Sequence, residues 1–543
     1  MPSGASGGAS ALSSVFTLLN SAVGAGVLSL PFAFYAAGWA GGLLATATVA
    51  SIEAFTLYVL ARYAEVTGSA TYSGLVRNML GRKASAAMSV VLIIYSYGSA
   101  TAYLIILGDC FQPMLEQAFG QEWWTERNVV ILALSTAFML PLCFPRTLNA
   151  ISGFSSVTFY ALLVVVGSVI YRAVEALQAP GYDWGVLQAW RPPRYALDAL
   201  PILAFGFQCH TNLVAVFSEL EEEPELGKDL FSSTASLSSL LTAGGDGAPG
   251  GNGGAANSAG APAVGTAEAG SGAEPGSGDP AGQGRAQGNG EGSVRVVLLS
   301  RPQRRFVAPA QRTPKLRGMV RVVCASIGIS AAFYSLVGLF GYATFPTNTR
   351  SNILLNYPTS DKLMQVARVL VGIIQIIHYP VNHAPARNAT RDLLTQLTGC
   401  SPVFRGYNTV EVFFFFVCTL GLSLLVTDLG DVFKLIGGSC GSFFIFGMPG
   451  ALLLQYAWSK HVQVRQGHPL EQPLLAEEGA TGGAQQAQQA TGLAAQQAMA
   501  PQAQVPQRYH VLLSKLFWAG VLLILLALGL LALTLYTLIA PHI

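Results

Sequence analysis

The sequence NSAVGAG, from Asn20 to Gly26, lies in the middle of an apolar stretch that covers residues 11–37. Pro31 follows about one helical turn later. A stretch of this length can cross a bilayer as a helix, but glycine and proline weaken the helix at this point. In lipid, an unpaired backbone amide or carbonyl costs several kcal/mol, so a broken helix is stable only where the freed groups are buried in protein or face a cavity. The sequence therefore predicts a binding site at this break.

Composition places most of the chain in a membrane. Of the 543 residues, 52% are hydrophobic and 11% are charged, whereas roughly a quarter of the residues of a soluble domain are charged. The net charge of +2 gives no indication of a nucleic-acid partner, and we expect none. The seven cysteines do not form pairs of the metal-binding type. We find no nucleophile and base set, phosphate-binding loop or metal-ligand cluster, so we expect neither an enzyme nor a resident cofactor.

About eleven apolar stretches are long enough to form transmembrane helices, and we number them spans 1 to 11. They cover residues 11–37, 41–61, 86–107, 128–144, 155–173, 195–217, 320–343, 363–381, 410–426, 432–458 and 512–539. Spans 4 and 8 are short and give the weakest signals. The sequence thus predicts an all-α, multi-pass integral membrane protein.

Two polar segments interrupt the series of spans. Residues 220–317 are rich in Gly, Ala, Ser and Pro, and residues 459–511 are rich in Gln and Ala. Such compositions bury too little apolar surface to fold alone, so we predict two disordered loops. The rest of the chain consists of an N-terminal tail (residues 1–10), spans 1–6 (residues 11–219), spans 7–10 (residues 318–458) and span 11 (residues 512–543).

The placement of lysine and arginine predicts the orientation of the spans, because short loops rich in these residues stay cytoplasmic. Arg77, Arg82 and Lys83 follow span 2, and Arg387 and Arg391 follow span 8. These loops, the N-terminus and both long insertions are predicted to be cytoplasmic, and the odd number of spans places the C-terminus outside. Plasma membrane and vacuolar or lysosomal membrane both fit this pattern, and the oligomeric state is left open.

Span 6 contains a second candidate break. It reads LPILAFGFQCHTNLVAVFSEL, and residues 206–211 place glycine, glutamine, cysteine and histidine at its centre. Broken helices in corresponding positions of two halves indicate the binding site of a secondary transporter. Since the two breaks lie five spans apart, we predict two inverted repeats of five helices, with span 11 appended.

The ends of broken helices can bind a zwitterion. Free amides at a half-helix N-terminus suit a carboxylate, and free carbonyls at a C-terminus suit an ammonium group or a cation. Gly24 and Gly26 permit close backbone approach, and tight helix packing is the alternative explanation for both glycines. The candidate substrate-binding residues are Ser21, Gly24, Ala25 and Gly26 in the first break and Phe207, Gln208, Cys209 and His210 in the second.

Several of these segments resemble one known family. NSAVGAGVLSLPFAFYAAGW is similar to the first-helix signature of the amino acid/auxin permease family, particularly of its sodium-coupled neutral amino acid transporter branch. AFGFQCHTNLVAVFSEL resembles the sixth helix of that branch, YLIILGDCFQPML the end of the third, HYPVNHAPAR the exit of the eighth and DLGDVFKLIGGSCGSFFIFGMPG the tenth. The resemblance implies a fold like that of the bacterial leucine transporter. It also implies symport of a small-molecule amino acid, expected to be neutral, with Na⁺ or H⁺.

The resemblance further implies a cation site. In that family the asparagine at the position of Asn20 is associated with cation and substrate binding, so Asn20 is the candidate Na⁺ contact. A hydroxyl residue on helix eight helps to hold sodium there, whereas span 8 has no Ser or Thr between Leu363 and Asn388, and His378 lies in that neighbourhood. Na⁺ and H⁺ are therefore both retained as candidate coupling ions.

Ionisable side chains at membrane depth are further candidates, because burying a charge is costly. Glu53 lies deep in span 2, either as a proton carrier or as a protonated or hydrogen-bonded packing residue. His210 and His378 lie at membrane depth, and imidazole titrates near physiological pH, with a satisfied core histidine as the alternative. The cation-coupling candidates are thus Asn20, Glu53 and His378. Two other functions stay open: an amino-acid sensor that binds without transport, and a transporter of auxin or another organic acid.

Overall fold

Each predicted span corresponds to a helix or to a broken helix. A computed structural model of the protein describes residues 10–145, 155–221, 313–400, 406–465 and 514–539, and within these residues the secondary structure is helical, with no β-strand. The spans, in order, are Ala11–Ala22 with Leu30–Ala37, Trp39–Thr67, Arg82–Phe119, Arg127–Leu134 with Leu140–Leu142, Ser155–Gln178, Ala199–Phe207 with His210–Glu219, Pro314–Thr344, Lys362–Thr398, Tyr407–Leu425, Leu429–Ile436 with Met448–Arg465, and Lys515–Ile539. The segments that join split spans are a 3₁₀ turn in span 1 (Ala25–Ser29) and π-helical turns in span 4 (Ser135–Met139) and span 10 (Gly437–Gly441 and Phe443–Gly447). Short helices also precede span 3 (Tyr72–Leu80) and span 6 (Pro193–Ala196).

Length and hydropathy support a polytopic membrane protein. Nine helices of the described residues are long and apolar enough to cross a membrane, and the bent pair in span 1 adds a tenth candidate. Span 4 forms a shorter apolar helix, Arg127–Leu142. The all-α, multi-pass architecture is confirmed, whereas the total of eleven spans and the inverted repeat stay predictions.

The two predicted loops lie almost entirely outside the described residues. The described residues belong to one compact unit, which comprises Met1–Pro224 and Val307–Ile543, and a second unit, Glu225–Phe306, lies outside them. At the edges of the loops, span 7 already begins at Pro314 and span 10 continues to Arg465. The helices therefore extend a few residues into both predicted loops, and the predicted disorder itself stays a prediction.

Span 8 is longer than the predicted range of residues 363–381. Lys362–Thr398 is a helix of 37 residues that continues through two internal prolines. Its second half is polar, but His383 and Arg387 are buried and both bind Glu411 of span 9, with distances of 2.8 and 3.3 Å. Because the charges of Arg387 and Glu411 are paired inside the protein, the helix continues where hydropathy alone predicts that it ends.

Spans 3, 4, 8 and 9 share one apolar core. Its buried members are Ala100, Leu104, Leu107, Ile131, Met139, Cys143, Tyr379, Ala386, Val412, Phe415 and Phe416. Apolar side chains fill the space between these four helices. The four helices therefore form one packed unit beside the two broken spans.

Spans 1, 2, 6 and 7 approach one another at glycines. The ring of Phe34 in span 1 occupies space beside Gly42 of span 2 and Gly338 of span 7, where a Cβ atom would lie 2.7 and 2.4 Å from the ring. A Cβ atom on Gly26 would lie 3.0 Å from the Cα atom of Gly206 in span 6. The second half of span 1 therefore touches span 6 directly, and the two breaks lie side by side.

Candidate functional site

The first break lies where the sequence predicts it. The helix Ala11–Ala22 ends at Val23 (φ −86°, ψ 76°), and Gly24 (φ −110°, ψ −140°) precedes the 3₁₀ turn that begins at Ala25. The two halves of the span meet at an angle of 52°. The amides of Ala25 and Gly26 stand at the start of the second half, where no earlier helical turn supplies a carbonyl acceptor.

The second break interrupts span 6 inside the predicted range of residues 206–211. The helix Ala199–Phe207 stops at Gln208 (φ −65°, ψ 104°) and Cys209 (φ −128°, ψ 8°), and a new helix starts at His210. The first half therefore presents its C-terminal carbonyls at the same depth at which the second half presents its N-terminal amides.

Tyr334 of span 7 connects the two breaks. Its buried hydroxyl lies 2.7 Å from the carbonyl oxygen of Ala22 and 2.6 Å from that of Gly206. A phenol has one hydrogen to donate, so the two carbonyls share one donor. The sequence gives no signal for this role, because a tyrosine in an apolar span is indistinguishable from a packing residue without the tertiary contacts.

A cavity of about 430 Å³ lies beside both breaks. Small-molecule pockets usually have volumes of roughly 300–1,000 Å³. Its lining includes polar groups from spans 1, 3, 6 and 8: Asn20, Ser21, Tyr95, Ser96, Gln208, Thr211, Asn212, His378 and Asn382. At one end it reaches the exposed residues Ser13, Thr17 and Glu219, on the side that the distribution of lysine and arginine predicts to be cytoplasmic.

Five of the predicted site residues line this cavity: Asn20, Ser21, Gly24, Gln208 and His378. Asn212 donates a hydrogen bond of 2.7 Å to the hydroxyl of Ser21. This bond joins the second half of span 6 to the first half of span 1. The Gln208 side chain is 2% exposed, and its amide nitrogen has no hydrogen-bond partner among the described residues. An unpaired buried donor at the cavity wall is available to a bound ligand.

The other predicted substrate contacts are not in the lining of this cavity. Ala25 contributes its backbone to the 3₁₀ turn, and Gly26 faces the backbone of span 6. The ring of Phe207 packs edge-on against a tyrosine of span 7, with 4.7 Å between ring centroids. Cys209 and His210 direct their side chains toward span 2.

The side chain of Asn20 meets groups from spans 5 and 8. Its Oδ1 atom accepts a hydrogen bond of 2.8 Å from the hydroxyl of Thr158 and lies 3.2 Å from Nε2 of His378. A small cavity of about 10 Å³ borders these three residues and Gln375, whose side-chain oxygen is buried without a partner among the described residues. This volume is roughly that of one water molecule, and hard cations prefer oxygen ligands. The hydroxyl that span 8 lacks is therefore supplied to Asn20 by span 5, which sequence reasoning did not foresee.

Glu53 and His210 form a pair in the interior. Oε1 of Glu53 lies 3.1 Å from Nδ1 of His210, and both side chains are fully buried. Thr56, one turn after Glu53, places its Oγ1 atom 2.9 Å from Nε2 of the same imidazole. The thiol of Cys209 lies 3.8 Å from Oε1 of Glu53. The structure thus brings together a predicted cation-coupling residue and two predicted substrate contacts.

Aromatic rings pack beside the wall of the large cavity, near a second cavity of about 310 Å³ that is lined in part by Lys434. Phe205 stacks on Phe433 with 4.4 Å between centroids, and Tyr95 of the first cavity lies 6.1 Å from Phe205. Lys434 also lies 4.0 Å from Asp198 at the start of span 6. The rings of Tyr95, Phe205 and Phe433 thus form a packed series that leads from the wall of the larger cavity to the helix Leu429–Ile436, which contributes Lys434 to the second cavity.

This combination of broken helices and a polar cavity beside both breaks agrees with the family that the sequence matches. Residues 7–243 and 307–469 match the family described as "Transmembrane amino acid transporter protein". The chain belongs to this family. The match spans both breaks and the spans that line the cavity.

Individual relatives of the transmembrane amino acid transporter family are similar over most of their length. "Sodium-coupled neutral amino acid transporter 7" of Danio rerio is 24% identical over 475 residues, which cover 84% of this chain and 81% of the relative. The Homo sapiens protein of the same name is 25% identical over 477 residues, which cover 84% of this chain and 82% of the relative. "Vacuolar amino acid transporter 2" of Saccharomyces cerevisiae is 22% identical over 453 residues, which cover 80% and 73% of the two chains.

Family membership confirms several predictions. The resemblance to the amino acid permease family and to its sodium-coupled neutral branch is confirmed by the family match and by the relatives. The family and the relatives are transporters and not enzymes, as the sequence predicts. Together with the apolar helices, this identifies an integral, multi-pass membrane protein.

Proposed function

We propose that this protein is an amino-acid symporter that works by alternating access around broken spans 1 and 6. The observation that carries the proposal is the cavity of about 430 Å³, which touches both breaks, is lined by polar groups and reaches exposed residues at the end that is predicted to be cytoplasmic. A carrier must expose its site to one side at a time, and a cavity at the broken helices that reaches the surface fits one of those states. The relatives named as neutral and vacuolar amino acid transporters support an amino acid, expected to be neutral, as the substrate.

The two breaks offer complementary groups to a zwitterion. The substrate carboxylate would bind backbone amides around Gly24 to Gly26, and its ammonium group would bind backbone carbonyls of span 6 from Phe207 to His210. The side chain of the substrate would extend into the cavity, where the unpaired amide of Gln208 is within its wall.

Two regions are candidates for the coupling ion. A Na⁺ ion would bind beside Asn20, where oxygens of Thr158 and Gln375 border the small cavity. A proton would bind at Glu53, outside that region, or at His378, which contacts Asn20. Replacement of Na⁺ tests the first candidate ion, and a pH gradient tests the second.

Reconstitution of the full chain in proteoliposomes tests the proposal. We expect saturable uptake of at least one amino acid from a labelled panel, with rates that depend on Na⁺ or on a pH gradient. Saturable binding without net uptake would instead favour a sensor. Uptake of auxin or another organic acid, with no amino acid accepted, would move the substrate to that class.

Asn20→Ala tests the cation role within the same assay. We expect this variant to lose the dependence of uptake on the coupling ion, with Asn78→Ala as the matched control. Asn78 is also hydrogen-bonded, to Ser69, but it lies in the helix Tyr72–Leu80 and lines neither region. Unchanged ion dependence in correctly folded Asn20→Ala would remove this residue from the mechanism.

A further inference from the structure

We infer that Glu53 and His210 share one proton, and that this pair is the site at which proton binding is coupled to the break in span 6. The inference rests on the proposed transport function and names a site for one of its coupling ions. It joins span 2 to the first residue of the second half of span 6.

The hydroxyl of Thr56 can take two orientations, and each one fixes a different placement of the protons on the imidazole. Its Oγ1 atom is 3.0 Å from the carbonyl oxygen of Ile52 and 3.1 Å from that of Glu53, so the hydroxyl hydrogen has an acceptor in its own helix. When the hydroxyl points to these carbonyls, Oγ1 accepts a hydrogen from Nε2 of His210, which lies 2.9 Å away. With the hydrogen on Nε2, a neutral imidazole has a bare lone pair on Nδ1.

That lone pair faces a carboxylate oxygen. Nδ1 of His210 and Oε1 of Glu53 are 3.1 Å apart, and two acceptors at this distance repel unless a hydrogen lies between them. One shared proton, on either the carboxylate or the imidazole, removes the repulsion and leaves the pair with no net charge. The orientation in which Thr56 donates to its own helix is therefore that of the proton-loaded pair.

Loss of the proton requires the Thr56 hydroxyl to rotate. The hydrogen of the imidazole then moves to Nδ1 and binds the Glu53 carboxylate, while Nε2 accepts a hydrogen from Thr56. The proton leaves to water, no covalent bond between heavy atoms changes, and the pair becomes a monoanion. Thr56 thus has one hydroxyl orientation for the loaded pair and another for the empty pair.

The surroundings give the empty pair little compensation. The titratable groups that face Glu53 are Cys209 beside it, Tyr72 from the helix before span 3 and Tyr334 from span 7, and all three are neutral near pH 7. Within the described part of the chain, no lysine or arginine forms an ion pair with Glu53, and its Oε2 atom has no partner. A buried, uncompensated anion is costly, so deprotonation favours a conformation that hydrates the pair.

The break supplies a short route to such a conformation. Gln208 and Thr211 line the large cavity on either side of His210 in sequence, and Cys209 between them already has non-helical dihedral angles. A rotation of the backbone at the break would bring the pair into contact with the water of the cavity. Proton binding and the position of the second half of span 6 are coupled in this way.

The test measures proton movement and amino-acid exchange in the same proteoliposomes. Wild-type protein is expected to change the internal pH, read with an enclosed pH-sensitive dye, when amino acid is added. Glu53→Gln fixes the neutral form and keeps the shape, so it is expected to retain amino-acid counterflow while proton movement falls at least tenfold. Glu65→Gln is the matched control in the same helix. Glu65 pairs with Arg62 near the end of span 2 and is expected to retain both activities.

Three outcomes would be decisive. Amino-acid uptake by the wild type without proton movement, or normal proton movement by Glu53→Gln, would overturn this inference and leave the transport proposal intact. Absence of both uptake and counterflow in the wild type would overturn the transport proposal itself.

If Glu53→Gln does not fold, Thr56 provides the second test. Thr56→Ser keeps the rotating hydroxyl and is expected to preserve the pH profile of counterflow, whereas Thr56→Val removes it and is expected to shift the midpoint of that profile. Identical profiles for wild type and Thr56→Val would refute the role of the hydroxyl and with it the shared proton.

Discussion

Gly24 and Gly26 belong to the same motif, but the structure predicts opposite consequences for an added methyl group. A Cβ atom on Gly26 would lie 3.0 Å from the Cα atom of Gly206 and 3.3 Å from the ring of Phe205. A Cβ atom on Gly24 would meet the imidazole of His378 at 3.7 Å, which is ordinary van der Waals contact. Gly26→Ala therefore overpacks the contact between the broken spans, whereas Gly24→Ala only reduces the space in the cavity.

The size of the effect follows from the packing. An overpacked methyl group in a close-packed interior costs about 1–3 kcal/mol, which corresponds to about a 5- to 150-fold shift in a conformational equilibrium. Because the neighbour of Gly26 is backbone, it cannot move aside as a flexible side chain would. The added methyl group destabilises the conformation in which the second half of span 1 contacts the first half of span 6.

Melting of the purified protein and counterflow of amino acid separate the two variants. For Gly26→Ala we expect a lower apparent melting temperature and exchange that is at least fivefold slower. For Gly24→Ala we expect an unchanged melting temperature and weaker substrate binding, because this residue lines the cavity. The reasoning fails if Gly26→Ala melts like the wild type, or if Gly24→Ala is the more unstable of the two.

Three further variants test other contacts. Tyr334→Phe removes the donor that serves both breaks, so we expect uptake to fall by the equivalent of about 1–3 kcal/mol, while the same change at lipid-exposed Tyr160 leaves uptake unaltered. Thr158→Val removes the hydroxyl that donates a hydrogen bond to Asn20, and we expect it to weaken binding of the coupling cation by up to about tenfold. Thr158→Ser keeps a hydroxyl and is expected to bind the cation like the wild type. Equal cation dependence in the two variants would contradict this role. Burial acts to raise the pKa of Asp361, but hydrogen bonds from Arg172 and from two backbone amides outweigh it, so the pKa lies below its ordinary value of 3.8. The stabilisation is thus present above that value and is lost as the pH falls through the lowered pKa. Asp361→Asn keeps an N-cap acceptor but removes the ion pair with Arg172, so we expect stability at pH 7 to fall by about 0.2–1 kcal/mol. The fall is measured as a lower melting temperature and is expected to disappear below the lowered pKa. A difference in melting temperature that persists there would contradict the ion-pair explanation.

The breaks were predictable because their cause is local. Glycines in NSAVGAG and a polar cluster in span 6 weaken helices wherever they occur, and in a membrane only a cavity or protein contact compensates for that. The partners of these breaks were not predictable in the same way. Thr158 and Tyr334 lie in apolar spans, where hydroxyl groups usually bond to their own helix, and only the packing of spans 5 and 7 shows that they reach span 1.

The same limit explains the second half of span 8. Its polar residues resemble a loop when they are counted along the chain, but Arg387 and Glu411 form an ion pair across spans 8 and 9, and His383 lies within hydrogen-bond distance of both. The assignment of His210 had a similar limit. Its position in the break suggested a substrate contact, whereas the side chain faces Glu53 in span 2.

The two candidate ion sites act on different parts of the fold. The contacts of Asn20 include His378 of span 8, a helix that contributes Tyr379 and Ala386 to the core shared by spans 3, 4, 8 and 9. A cation beside Asn20 would therefore connect span 1 to the helices of that core and affect the position of span 1 relative to them. Glu53 lies in span 2 and His210 in span 6, and neither span contributes to that core. A proton shared by this pair would therefore affect the geometry of the break in span 6 and not the contact between span 1 and the core. If both ions are used, Na⁺ should change the accessibility of the large cavity in a Glu53→Gln protein, whereas a pH change should not.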